Sequence, residues 1–290
     1  MKELREELAA GRLDHRAIDE HVETLDHLSA TRMDTHANCG FLYYFTYVLG
    51  MRRRPGVAML RGSAVHESVE ANAKSRIETG DPIPRSIAKD VAAEGFTRRV
   101  EEEDPEVRDD ENLGASKDQS VNLAVLHYDE VAPTAVPLHS EAAFTLEWGD
   151  GPPIEGYVDL ITTTPGGPVV VEEVKTAVDA RTDRGKYIHK VQVPIYLTAF
   201  KELLGATEAK VSVLAQNTNK TKGTYHRVIT HELLASDVNE PFIKASGNAM
   251  MGALRSHTIA PASPSYFLCS KKWCGFHEEN NGPCPFGRKT

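Results

Sequence analysis

Apolar positions recur at helical spacing through the first thirty residues. Leu4, Leu8, Ile18, Val22 and Leu25 predict a polar helical lead-in over residues 1–30. Thr31 is expected to cap a helix that starts at Arg32, and its segment Phe41-Leu42-Tyr43-Tyr44-Phe45 is too aromatic for a loop, which predicts burial. The run Gly62-Ser63-Ala64-Val65-His66-Glu67 reads as a small-residue turn opening a polar helix to about Ile77. Residues 101–111 hold eight acids against one base, Arg108, and are expected to form a solvated loop. From His139 the period shortens towards two. Residues 143–148 and 154–163 predict strands, and Pro165-Gly166-Gly167 turns the chain into Val169-Val170-Val171. A helix over 190–204, strands over 210–216 and 224–230, and a long helix over 231–256 complete the pattern, with no internal repeat.

Composition narrows the class. With 290 residues, 40% hydrophobic and 26% charged, the chain has the make-up of a soluble globular enzyme or binding protein and can bury a core without staples. The net charge of -9 argues against nonspecific coating of nucleic acid, though it leaves room for a local basic channel. The charged N-terminus and the lack of any apolar window of about 18 residues predict a cytoplasmic protein without a membrane partner. Four cysteines in a reducing compartment point to metal binding before disulfides.

Candidate chemistry concentrates on two strands. In the run from Val169 to Lys175, alternation puts Glu173 and Lys175 on one face and Val170 and Val174 on the other. The preceding strand, residues 155–161, adds Asp159, and Gly156 is expected to allow a close backbone approach. Asp159 and Glu173 would make an oxygen site for Mg²⁺ or Mn²⁺, suited to phosphodiester hydrolysis with Lys175 orienting the attacking water. A surface Glu–Lys pair on a hairpin accounts for the same three residues equally well. His66 offers a nitrogen ligand, and Gln192 and Tyr196, four residues apart, share a helix face where an amide and a phenol could hold a phosphate or the lysine. Glu141 is a further acid on a neighbouring strand.

Taken in order, Leu28-Ser29-Ala30-Thr31-Arg32, Cys39, Phe45, Gly50, Gly62 to Glu67, Gly156-Tyr157-Val158-Asp159, Glu173-Val174-Lys175-Thr176, Gln192-Val193-Pro194-Ile195-Tyr196 and a cysteine-rich tail resemble the RecB-like exonuclease family of the PD-(D/E)xK nuclease superfamily, in its iron–sulfur form. The resemblance implies that His66, Asp159, Glu173 and the Val174 carbonyl bind the catalytic metal, that Lys175 positions the water, and that Gln192 and Tyr196 act beside the site. Glu172 departs from the family pattern, in which an apolar residue precedes the metal-binding acid. It leaves the strand register open.

Cys39, Cys269, Cys274 and Cys284 could hold a 4Fe–4S cluster or a structural zinc. Zinc sites usually show two close cysteine pairs, and this chain offers one at most; the resemblance implies the cluster, with His277 as a substitute ligand for Cys269. Such a centre would close a loop of about 230 residues and clasp the tail over the N-terminal helices. Arg52, Arg53, Arg54 and Arg61, with Lys271, Lys272 and Trp273, are expected to form a basic and aromatic path for DNA.

The fold implied is α/β: a restriction-endonuclease-like core with a mixed central sheet flanked by helices. The whole chain, 1–290, is expected to be one nuclease domain, made of a helical part (1–66), a helical and acidic insertion (67–138), the catalytic core (139–260) and the iron–sulfur tail (261–290). The expected substrate is single-stranded DNA or duplex ends, in prokaryotic or phage recombination and repair. No G-x-x-x-x-G-K-[ST] occurs, so unwinding would fall to a separate helicase or recombination protein. Rival readings are a DNA-binding or assembly module and a hydrolase of small phosphoesters.

Overall fold

Strands rich in β-branched and aromatic residues build one five-stranded sheet, in the order β1 (Val136–Leu146), β2 (Ile154–Thr163), β3 (Val169–Val178), β4 (Glu208–Asn219), β5 (Gly223–Leu234). β2 and β3 pair antiparallel, β3 and β4 parallel, β4 and β5 antiparallel. The sheet is mixed, and helices flank it. The fold was obtained as a computed structural model that describes residues 1–149, 151–178, 191–219, 223–263, 266 and 268–287. Lys190, the first residue of the helix expected over 190–204, lies outside the described residues; that helix runs over Gln192–Leu204.

The chain divides into two compact units. One comprises Arg54–Phe144 and Gly156–Val238, the other Met1–Arg53, Thr145–Glu155 and Asn239–Thr290. The first holds most of the sheet with α5 (Val57–Thr79), α6 (Arg85–Glu103), α7 (Leu113–Leu126) and α8 (Gln192–Leu204). Val65, Val69 and Ala73 of α5, Leu123 and Leu126 of α7, and Leu160, Val174 and Leu214 of the sheet form one core cluster. α8 packs on β3 and β4, and its Tyr196 and Phe200 rings meet Phe144 of β1. Gly156 serves that contact: a Cβ there would stand 3.1 Å from the Phe144 ring, so the glycine admits a side chain rather than the expected backbone.

The second unit is helical, with α1 (Lys2–Ala9), α2 (His15–Thr24), α3 (Ala30–Asn38), α4 (Gly40–Tyr43) and α9 (Glu240–Arg255). α2 and α3 pack on α9, the Trp148 ring lies against Gly247, and Arg5 of α1 donates through Nε to the Gly282 carbonyl of the tail at 3.1 Å. Tyr43, Tyr44 and Phe45 are fully buried, as the aromatic run predicts.

Several boundaries differ from the sequence expectation for local reasons. The lead-in breaks into two helices because Gly11 turns the chain in the left-handed region, φ +74°, and Asp14 opens α2 by accepting the Ala17 amide at 3.0 Å. Ser29, not Thr31, caps α3, its Oγ accepting from Arg32 N at 3.2 Å. The Gly62-Ser63-Ala64 run lies inside α5, so His66 is a mid-helix residue. Residues 231–234 stay in β5 because Glu208 to Val211 of β4 pair with them, and α9 begins only after its cap, Asn239. The acidic stretch is helical to Glu103; beyond it Asp104 and the Pro105 carbonyl take the Arg54 guanidinium.

Candidate active site

The β2–β3 ladder runs from Thr163↔Val169 to Leu160↔Glu172. Just past that end, the Val174 amide is taken by a side chain, donating to Asp159 Oδ2 at 2.7 Å. The other oxygen, Oδ1, lies 3.1 Å from His66 Nδ1, which α5 delivers from across the sheet end. On the same strand Lys175 Nζ contacts Glu173 Oε1. One polar notch thus gathers His66, Asp159, Glu173 and Lys175. The residue whose N–H reaches towards β2 carries its carbonyl to that side as well, which places the Val174 oxygen on the notch edge.

Charge in the notch is crowded. Burial, and then the Asp159 charge, push the Glu173 carboxyl up, with Lys175 opposing. Burial also works against the Asp159 carboxylate, but His66 and the Val174 amide overcome it and hold Asp159 below the usual carboxylate range. His66 shows the mirror image: burial pulls it down, and the Asp159 charge more than reverses this. Glu141 sits close enough to be raised by burial and by Asp159 and Glu70, and its backbone lies at φ +49° in the middle of β1. As placed, Asp159 faces His66 and Glu173 faces Lys175, and among the described residues no three His, Cys, Asp or Glu side chains meet at one point. The donors themselves, two buried carboxylates, a carbonyl and an imidazole, suit a hard divalent cation, which would offset both the burial and, after it, the Asp159 charge that raise Glu173.

Gln192 opens α8 and donates from Nε2 to the Tyr196 hydroxyl at 2.8 Å. That bond leaves the phenol proton to donate onward. Burial, and then the Glu173 charge, raise the Tyr196 phenol, so it stays protonated. Glu172 points to the other face of β3. It lies 3.4 Å from Lys210 Nζ and borders a cavity of about 10 Å³ with Asn72, Arg76, His127 and Thr162. His127 and this polar pocket are not signalled by the sequence, since one histidine inside an apolar helix carries no pattern.

His127 sets an acid limit on stability. It is fully buried, its Nε2 has no partner among the described residues, and burial followed by the His66 charge lowers it to about 3. The sign follows from linkage: the neutral ring's contribution is whole above the unfolded value near 6.5 and is lost as pH falls below it. Between pH 6.5 and 4.5 this amounts to about 2.3 kcal/mol. Urea unfolding at both pH values is expected to show a smaller loss in His127→Gln than in the wild type; equal losses would absolve His127.

The four cysteines form no disulfide, and all line one cavity of about 200 Å³ in the helical unit, with Phe41, Phe45, Phe276 and Arg53 around them. Cys39 caps α4, its Sγ accepting from the Leu42 amide at 3.4 Å. Burial raises the Cys39 and Cys274 thiols and, with its cysteine neighbours, pushes Cys284 up to about 12. Thiolates crowded in this way need positive charge among them. His277 Nδ1 accepts from the Glu279 amide at 3.2 Å, so that nitrogen is not open for ligation.

The basic residues have different surroundings. Arg61 is buried on α5, 8% exposed with Glu111 as the acid acting on it, which corrects its expected place on a surface path. Arg54 is held by Asp104 and Pro105. Lys271 pairs with Glu279 at 3.6 Å, and Lys272 sits 5.2 Å over the exposed Trp273 ring. Arg52 is exposed, and Arg53 lies at the cysteine cavity.

Residues 27–278 match the family model of the PD-(D/E)XK nuclease superfamily, and the chain belongs to that superfamily. It is therefore a nuclease in class, of a family that uses Mg²⁺ or Mn²⁺ on DNA. No curated protein matches. Among solved structures, a proposed exonuclease from Eubacterium rectale is 13% identical and superposes with a TM-score of 0.52 over 90% of both chains, a likeness of fold. The protein SSO0001 is 15% identical with a TM-score of 0.41 over the same shares. Among the described residues no helix is long and apolar enough to cross a membrane.

Proposed function

We propose that this nuclease is a DNA exonuclease of the RecB-like, iron–sulfur type, trimming single-stranded DNA or duplex ends. The observation that carries the reading is the notch in which Asp159 joins His66 to the β3 backbone while Glu173 and Lys175 stand beside it. Asp159, Glu173, His66 and the Val174 carbonyl would hold the metal. When bound, Mg²⁺ or Mn²⁺ supplies Lewis acidity at the scissile phosphate and eases deprotonation of the attacking water. Lys175 then orients that water and offsets charge growing on the phosphate, in a buried site where a fixed cation is worth more than in bulk solvent. Tyr196, fixed by Gln192, would donate a hydrogen bond from its phenol to a phosphate oxygen. Lys272 and Trp273 offer a cation and a stacking face to an unpaired strand.

The four cysteines hold a 4Fe–4S cluster in this reading. Structural zinc sites usually show two close cysteine pairs where this chain offers at most one, and all four cysteines line one cavity of about 200 Å³. The cluster ties Cys39 to the tail and acts as a structural clasp. The whole chain works as one nuclease, in a prokaryotic or phage-infected cytoplasm, in recombination or repair beside a separate helicase.

The test is anaerobic incubation of end-labelled single-stranded DNA with Mn²⁺ or Mg²⁺, beside Lys175→Ala. Loss of label by the wild type, stopped by a chelator and reduced about 10²-fold or more in the variant, is the expected result. Comparison of 5′ and 3′ labels gives polarity. Equal inactivity of both proteins, with the cluster intact, would overturn the reading in favour of a DNA-binding module.

A further inference from the structure

Arg53 was expected on a DNA path, yet its surroundings are those of the cysteine cavity. It lines that cavity, and its guanidinium carbon stands 5.4 Å from the centre of the Phe276 ring, a cation–π stack. Gly275, between Cys274 and Phe276, makes the position possible: a Cβ at residue 275 would run into the guanidinium. The cation thus sits between a ring and a bare stretch of backbone, one residue from Cys274. Its outer side is open to solvent.

We propose that Arg53 is the cationic cover of the cysteine centre, a positioning residue that offsets the centre's negative charge and slows the loss of its iron. The inference rests on the 4Fe–4S reading above. Four thiolates give such a cluster a net negative charge, and reduction adds another; nearby charge and solvent access are two of the levers that set its potential. A guanidinium stacked at the mouth acts on both. Because one side of Arg53 is solvated, the effect is moderate and falls with added salt.

The experiment compares reconstituted wild type with Arg53→Gln, Arg53→Lys and Gly275→Ala. The readouts are iron and sulfide content, the rate of iron loss to a chelator, and the cluster midpoint potential. Arg53→Gln is expected to lose iron about threefold to tenfold faster and to shift the oxidised-to-reduced ratio about threefold at fixed potential, or about 28 mV at 59 mV per decade, towards the oxidised form. Arg53→Lys recovers the potential but not the slow iron loss, since an ammonium cannot lie flat across the ring. Gly275→Ala displaces the guanidinium and behaves like Arg53→Gln with the charge still on the chain. A wild type and Arg53→Gln with full clusters and matching rates and potentials would overturn the inference alone. A wild type that takes up no iron and sulfide would overturn the cluster reading and this inference with it.

Discussion

Asp159→Asn is expected to abolish nuclease activity, by about 10³-fold or more, while the protein stays folded. The size follows from the number of roles on one carboxylate. Asp159 receives the Val174 amide, pairs with His66 and would share the metal with Glu173. Removing one fixed group that stabilises developing charge already costs about 10²–10³ in turnover. Asparagine keeps an oxygen for the Val174 amide but loses the charge, so the strand edge survives and the cation site does not. Glu173 gains from the change, because the Asp159 charge is the second cause of its raised carboxyl. The melting temperature is therefore expected to hold within a few degrees. Single-turnover assays on end-labelled DNA at saturating Mn²⁺ measure the first quantity and calorimetry the second. A variant that retained a tenth of the wild-type rate would remove Asp159 from the chemistry, and one that failed to fold would make it a structural residue first.

The legibility of this site from sequence varied with the kind of signal each residue carries. Glu173 and Lys175 were readable because a strand has a period of two, and two charged residues at that spacing must share a face. Asp159 was readable because its strand alternates too. His66 was not: it sits within α5, whose buried side is interrupted by Arg61, Ser68 and Asn72, so the polar positions hid both the helix and the residue's place in it. The residues alone offered it as a nitrogen ligand at an expected helix start, and the resemblance added its role at the metal. α6 escaped for a different reason, since its buried residues Ala88, Ala92 and Gly95 are too small to form an apolar stripe beside Phe96. The ends of β5 and α9 were set by pairing with β4, a tertiary fact that no local pattern contains. The surroundings of Arg53 were not legible because a run of arginines carries charge but no direction, and what admits its guanidinium beside the cysteines is the missing side chain at Gly275.

The Glu172 departure from the family pattern has a physical consequence on the face opposite the notch. Glu172 is 4% exposed, and its neighbour across the β3–β4 ladder is Lys210, with Nζ 3.4 Å from Oε1. Lys210→Met is expected to destabilise the protein by about 3 kcal/mol near pH 8, because a buried carboxylate would be left without its cation. For a domain of this size the melting temperature falls by roughly 6–12 °C. The pH dependence gives the cause away. Burial raises the Glu172 carboxyl above its ordinary value, with Lys210 opposing, and loss of the lysine raises it further. A raised acid favours its protonated form in the fold, so the penalty is absent below the unfolded value near 4.5 and grows as pH climbs above it. The gap between wild type and Lys210→Met is thus expected to be wide at pH 8 and nearly closed at pH 4. The His127 contribution runs in the opposite direction, and because Lys210 is among the charges that lower His127, its loss also eases the acid penalty in the variant and narrows the gap further at low pH. Lys210→Met with Glu172→Leu is expected to return most of the lost stability at pH 8, since an apolar pair replaces a buried ion pair at little cost. A gap that stayed constant from pH 4 to pH 8, or a double variant no better than the single, would mean that Lys210 acts through packing and that Glu172 is already neutral in the fold.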